Sequence, residues 1–200
     1  MSFPEDEKRI PWLPMLLDAY AIADTGVAVA IRAEEKKNKK KLACAKGCGN
    51  CCVHQKDLPL YPHELVGIYW YVSEKMAAPM RDALKVRLAG HTADAPCPFL
   101  IDGSCSIHPL RPIGCRQFNV FTKPCVPGED PYYTRRSDVL TPLPEYTDRA
   151  FAAIVPFYNM KAEGDIAKAV KIIRSQIMNI QTFDWNKLVA IISTVHLSAG

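Results

Sequence analysis

All eight cysteines of this 200-residue chain fall between Cys44 and Cys125. They read Cys44-x3-Cys48-x2-Cys51-Cys52, then Cys97, Cys105, Cys115 and Cys125. Thiolates are soft ligands for zinc, iron and iron–sulfur clusters. A tight knot followed by single cysteines lets distant segments converge on one centre. Disulfides, or structural and redox thiols, are the competing uses. A chain of this length with 48 % hydrophobic residues builds a core without staples. The start MSFPEDEKRI is acidic and polar, unlike a secretory signal. No stretch reads as approaching the ~20 apolar residues of a membrane span. The expected location is the cytoplasm, where such cysteines are reduced ligands.

The rest of the chain reads as helices around that centre. Leu13, Leu16, Leu17, Tyr20, Ala23, Val27 and Ile31 recur at helical spacing and predict a helix over 12–35. The lysine-rich run after Glu34 fits a solvated last turn or linker. It lacks the arginines and aromatics of a nucleic-acid surface, and a net charge of +4 is only mildly basic. Pro62 and Glu64 suit a helix start, with Leu65, Ile68, Tyr69 and Val72 on one face. His63-Glu64 reads as part of that start and not as a catalytic pair. Tyr69, Trp70 and Tyr71 read as core packing plus one exposed ring. A second helix spans about 79–89, with Met80, Ala83, Leu84, Val86 and Leu88. Residues 94–131 are rich in Pro, Gly and Cys and should be irregular. Extended pieces are expected at 99–101 and 118–121, with a turn at Asp102-Gly103. Helices return over 145–161, broken near Pro156, over 165–180 with a stripe from Ile166 to Ile177, and over about 185–197.

The expected fold class is mainly α, with helices packed around an irregular cysteine-rich metal-binding centre. We expect one domain over 1–200: a helical segment 1–42, a cysteine-rich region 43–131 and a helical segment 132–200.

Cys48-x2-Cys51 puts two sulfurs on one turn at a spacing that suits a metal. Gly47 and Gly49 beside it permit sharp turns and close approach to a bound sulfur. The vicinal Cys52 departs from a simple zinc ribbon. Neighbouring side chains point apart in most conformations, so either one sulfur is spare or the pair spans two sites. Arg111 and Arg116 flank Cys115. They read either as charges offsetting an anionic site or holding a substrate, or as structural guanidiniums on loop carbonyls. His54 and His108 lie close to the cysteines and are secondary ligand candidates. No paired carboxylates and no nucleophile–base order mark a catalytic residue.

The run Cys97-Pro98-Phe99-Leu100, Cys105-x-Ile107, Arg111-Pro112-x2-Cys115-Arg116-x-Phe118, after a knot ending in Cys51-Cys52, resembles the CxxCxxCC family. These are zinc- or iron-chelating proteins, also described as YkgJ-type iron–sulfur-cluster proteins. The likeness covers about 44–125 and includes the set of eight cysteines. Flagellin lysine methylases carry a similar pattern in a larger protein. The resemblance implies bound metal more strongly than any reaction.

The leading expectation is therefore an iron–sulfur cluster of the four-iron type with a redox or Lewis-acid role. Its expected ligands are Cys48, Cys51 or Cys52, Cys97, Cys105 and Cys115, with Cys44 and Cys125 as flanking candidates. The alternatives are a structural zinc protein without redox chemistry and a metal-dependent enzyme modifying a protein or small molecule. Neither nucleic acid nor membrane is an expected partner.

Overall fold

The computed structural model describes residues 2–45, 47–160 and 166–197, without the side chains of 195–197. The expected helix starts or ends at 161 and 165, and the His196 side chain, lie outside the described residues. The architecture is mainly α, with ten α-helices and two small sheets among the described residues.

The first long helix, α2, runs Leu13–Asn38, after a short α1 at Pro4–Arg9. It ends at Lys39, which adopts a left-handed conformation (φ 56°). Its length and composition are enough to cross a membrane, which corrects the sequence expectation. Here its buried side packs chiefly against α8, Pro144–Ala153. Leu13, Leu16, Tyr20 and Ala23 meet Ala150, Phe151 and Ile154, and α9, Ile166–Ser175, closes the layer with Val170 and Ile173. Gly26 has a packing reason: a Cβ there would sit 2.4 Å from the Tyr146 Cβ. The α9 stripe is shorter than expected. The helix stops at Ser175, and Ile177 is 57 % exposed where the chain turns into β4.

The second layer is built on α4, Pro62–Trp70, which continues through a π-helical turn, Tyr71–Lys75. Ile68 and Val72 join Leu84 and Leu88 of α5, Ala78–Ala89, and Leu188 and Ile192 of α10, Asn186–Leu197. Val86 is 75 % exposed, so it does not belong to the α5 core face. Trp70 points the other way, into the α2 layer, and is buried. Tyr69 and Tyr71 are half-buried, so none of the three rings is exposed as expected. Helix α4 thus separates two cores and contributes to both.

Two strand pairs tie the cysteine-rich segment to this frame. β1, Pro59–Leu60, pairs antiparallel with β4, Met178–Asn179. β2, Leu100–Ile101, pairs with β3, Ser104–Cys105, around Asp102 and Gly103, both at positive φ. That is the turn expected from Asp-Gly. The 118–121 segment forms bridges, Leu42 with Phe121 and Val120 with Val139.

Candidate metal centre

The cysteines are carried by several local devices. Cys44 lies on an extended segment where the Ala43 N–H donates to the Val120 carbonyl (2.8 Å) and the Val120 N–H donates to the Cys44 Sγ (3.2 Å). Gly47 turns the chain at φ +82°, leaving Cys48 exposed. Gly49 is needed for space instead of a turn: a Cβ there would stand 2.3 Å from the Gly103 carbonyl oxygen. Cys51 and Cys52 sit on the short α3, Asn50–His54. Cys97 is drawn in by its N–H, which donates to the Cys52 carbonyl at 2.7 Å. Cys105 ends the β2–β3 hairpin, and Cys115 lies on α6, Ile113–Gln117. Cys125 is held by Asn50, whose Nδ2 donates to the Cys125 carbonyl at 2.9 Å.

All eight thiols line one cavity of about 410 Å³. That is far beyond the roughly 10–15 Å³ that admits a single water. The thiols are therefore spread over a wall. Among the described residues, no three histidine, cysteine or carboxylate side chains are drawn onto one point. Phe99, Ile107, Leu58 and Ile180 supply apolar wall between the sulfurs.

Six of the thiols are shifted toward the protonated form. Burial pushes the thiols of Cys44, Cys105 and Cys115 up, and that of Cys125 up to about 11. Cys51 is raised first by donating its proton to Cys52 and then by burial. Cys52 gains from that donation, but its own bond to Cys97 and its burial leave it at about 12. Protonated, uncharged thiols are what a desolvated sulfur-lined space favours until a cation compensates the charge.

The two arginines part company. Arg116 is buried and bonded from all three nitrogens: Nε donates to the Arg111 carbonyl (2.9 Å), Nη2 to the Pro109 carbonyl (2.6 Å) and Nη1 to Asp24 (2.7 Å). Its guanidinium lies 4.1 Å from the Tyr20 ring centre. It clamps the loop before Cys115 onto α2, and its side chain is not part of the cavity lining. Arg111 does line the cavity, and its buried Nε has no hydrogen-bond partner. Its charge lowers the thiols of Cys44, Cys51 and Cys105 against the effect of burial. A guanidinium with an orphaned N–H, on a residue that lines the sulfur cavity, fits an anionic, thiolate-held group. His108 also lines the cavity. His54 instead accepts the Gly128 N–H at Nε2 (2.7 Å) and so fastens the loop after Cys125.

Three positioning roles escaped the sequence reading: those of Arg135 and Asn50, and the second bond of the helix-start residue Glu64. Glu64 is fully buried; its Oε2 accepts the Tyr61 N–H (3.0 Å) and its Oε1 the Ile113 N–H (2.6 Å). It thus fixes the start of α6, which carries Cys115. Arg135 reaches Cys125 Sγ at 3.9 Å while paired with Glu129 at 2.7 Å. Asn50 anchors Cys125. A partner 49 residues away, as for Glu64 and Ile113, leaves no local signature. An Asn beside a cysteine pair is the one signal that sequence offered.

The family model described as "Putative zinc- or iron-chelating domain" (CxxCxxCC) matches residues 43–145. Comparisons with curated proteins and with solved structures gave no match. The match spans half the chain, including every cysteine and the loop that Arg116 clamps, and the chain belongs to the CxxCxxCC family of zinc- or iron-chelating domains.

Proposed function

We propose that this protein binds an iron–sulfur cluster of the four-iron type and serves as a redox centre in the cytoplasm. The observation that carries this reading is the single chamber of about 410 Å³ walled by all eight thiols. A space this large between sulfurs suits a multi-atom group better than one ion, which needs its four sulfurs about 2.3 Å from a common point. The orphaned Arg111 Nε adds support, because thiolate-held clusters are anionic and accept hydrogen bonds at sulfur. When bound, the cluster supplies one-electron transfer, with its potential set by burial and hydrogen bonding. The protein's part is to hold the thiols, offset their charge through Arg111 and keep water from the Phe99–Ile107 wall.

Protein purified without air or added metal tests this reading. Iron with matching acid-labile sulfide and a broad visible absorption band is the expected result. Zinc alone, colourless and without sulfide, would replace it with a structural role in which metal binding contributes directly to folding.

A further inference from the structure

The chamber opens to solvent beside the most basic stretch of the chain. Leu42, Ala45, Gly47 and Cys48 line the chamber and are exposed, so they mark its mouth. Just before them come Lys36, Lys37, Lys39, Lys40 and Lys41. Lys36 and Lys37 lie in the last turn of α2, where positive charge meets the negative end of the helix dipole. The left-handed Lys39 then turns the chain toward the bridge between Leu42 and Phe121. Three residues reach at most about 10 Å, so Lys39 and Lys41 stay beside Leu42. The Thr122 N–H donates to the Lys41 carbonyl at 2.8 Å, which brings Lys123 to the same edge. Lys40 is paired with Asp138 at 3.5 Å. Lys36, Lys37, Lys39, Lys41 and Lys123 are exposed and make no ion pair among the described residues. Glu34, bonded to Asn38 at 2.8 Å, and Glu35 precede them on α2. The five unpaired lysines outnumber these two carboxylates, which places most of the chain's net charge of +4 at the mouth.

We propose that this lysine edge is the docking surface for an acidic electron-carrier protein, seated over the mouth of the chamber. The inference rests on the redox reading above for what passes between the two proteins. One electron leaves the reduced carrier, which is oxidised, and enters the centre held by the thiols, which is reduced; no bond or proton moves. Opposite charge steers such encounters and raises their rate by roughly ten- to a thousandfold at low salt. Exposed Leu42 supplies an apolar spot inside a charged border, the make-up of a small, transient protein contact. A nucleic-acid surface sets arginines and stacking aromatics among its lysines, and residues 36–45 contain neither. An anionic membrane also attracts lysines, but only an electron carrier gains from seating on the opening of the chamber.

Two readouts test the docking. The first is carbodiimide cross-linking of the protein's lysines to the carboxylates of a plant-type ferredoxin, the acidic probe, followed by peptide mapping. Cross-links concentrated in the 36–41 run and at Lys123 are expected. Cross-links spread evenly over the lysines, or none, would overturn the proposal. The second is stopped-flow reduction of the anaerobic, iron-loaded protein by reduced ferredoxin. Salt is raised from about 0.01 to 0.2 M, which shortens the screening length from about 30 Å to below 10 Å. The rate constant should fall at least about tenfold over that range. Lys36→Glu/Lys41→Glu/Lys123→Glu should lower it by at least about tenfold at low salt, with iron, sulfide and circular dichroism unchanged. Should that variant not fold, Lys36→Gln/Lys41→Gln/Lys123→Gln takes its place, with a smaller loss in the same direction. Rates indifferent to salt and to these lysines overturn the docking and leave the cluster reading standing. Protein without iron or sulfide that still cross-links along the lysine edge overturns the redox reading and upholds the edge as a contact for acidic protein. Duplex RNA or anionic phospholipid vesicles that bind wild type but not the variant at about 0.15 M salt, with no cross-link to ferredoxin, would give the edge another occupant and overturn the proposal.

Discussion

The two faces of α4 meet two different solutions to holding a chain together. On one side α2, α8 and α9 interlock through apolar side chains, close enough that Gly26 has no room for a methyl group. On the other, the irregular chain from Cys97 to Cys125 wraps around a chamber lined by eight cysteines. The first region is close-packed chiefly by apolar burial. The second has its apolar backing in Phe99, Ile107 and Trp185, but its centre is an open space lined by sulfur. A protein of this size does not need metal to make a core. The metal chamber is thus placed beside a core that is already sufficient, which keeps the ligand-bearing loops in register.

The largest effect is expected from stripping metal with a strong chelator in the absence of air. Binding free energies of thiolate metal sites run to roughly 10 kcal/mol at neutral pH. Amide hydrogen exchange should rise by orders of magnitude over residues 97–125 and little in α2 and α8. Equal loosening of both regions would erase the distinction between them.

Next in size is Leu16→Ala, which leaves a cavity between α2 and Gly67 of α4, since Leu16 Cδ2 fills the space beside Gly67. A loss of about 2–5 kcal/mol in denaturant unfolding is expected, with metal per folded chain unchanged. A parallel fall in bound metal would show that the helical core and the chamber are not separable.

Glu64 joins the two regions, and its effect depends on pH. Burial lifts its carboxyl from an ordinary value of 4.5 to about 7. Between those values the unfolded chain gives up its proton first, so this group makes the fold less stable as pH rises from about 4.5 to 7, by roughly 3 kcal/mol in all. His63 opposes it, because burial lowers its ring to about 3 from 6.5 and stability is lost as pH falls through that window. The clean observable is a difference. Glu64→Gln should gain stability on the wild type as pH is raised across 4.5 to 7 in metal-free protein, and a flat difference would refute the buried-carboxyl account.

The smallest effect tests close packing on the helical side. Gly26→Ala should cost about 1–3 kcal/mol by forcing Tyr146 away from α2, without changing the visible spectrum of the loaded protein. A neutral substitution would mean that α8 shifts freely.

These residues also show what sequence made legible. The helices followed from apolar periodicity, and the chamber followed from cysteine spacing, because both signals are local. The Asp102-Gly103 turn was readable for the same reason. Arg111 and Arg116 were indistinguishable in sequence. One lines the sulfur cavity and the other binds two carbonyls of its own loop and Asp24 of α2, and only the path of the 109–116 loop over Tyr20 decides which. Glu64 read as a helix-start residue and does act there, but its second bond to Ile113 depends on two helices meeting. The apolar length of α2 was underestimated, because Asp18 and Asp24 interrupt it in one dimension while Asp24 in three dimensions meets Arg116 at 2.7 Å.

X-ray absorption at the iron edge of anaerobically purified protein tests the central claim most directly. A first shell of sulfur with iron scatterers beyond it is the predicted result for a cluster held by these thiols. A first shell dominated by oxygen or nitrogen, or no bound iron, would contradict it.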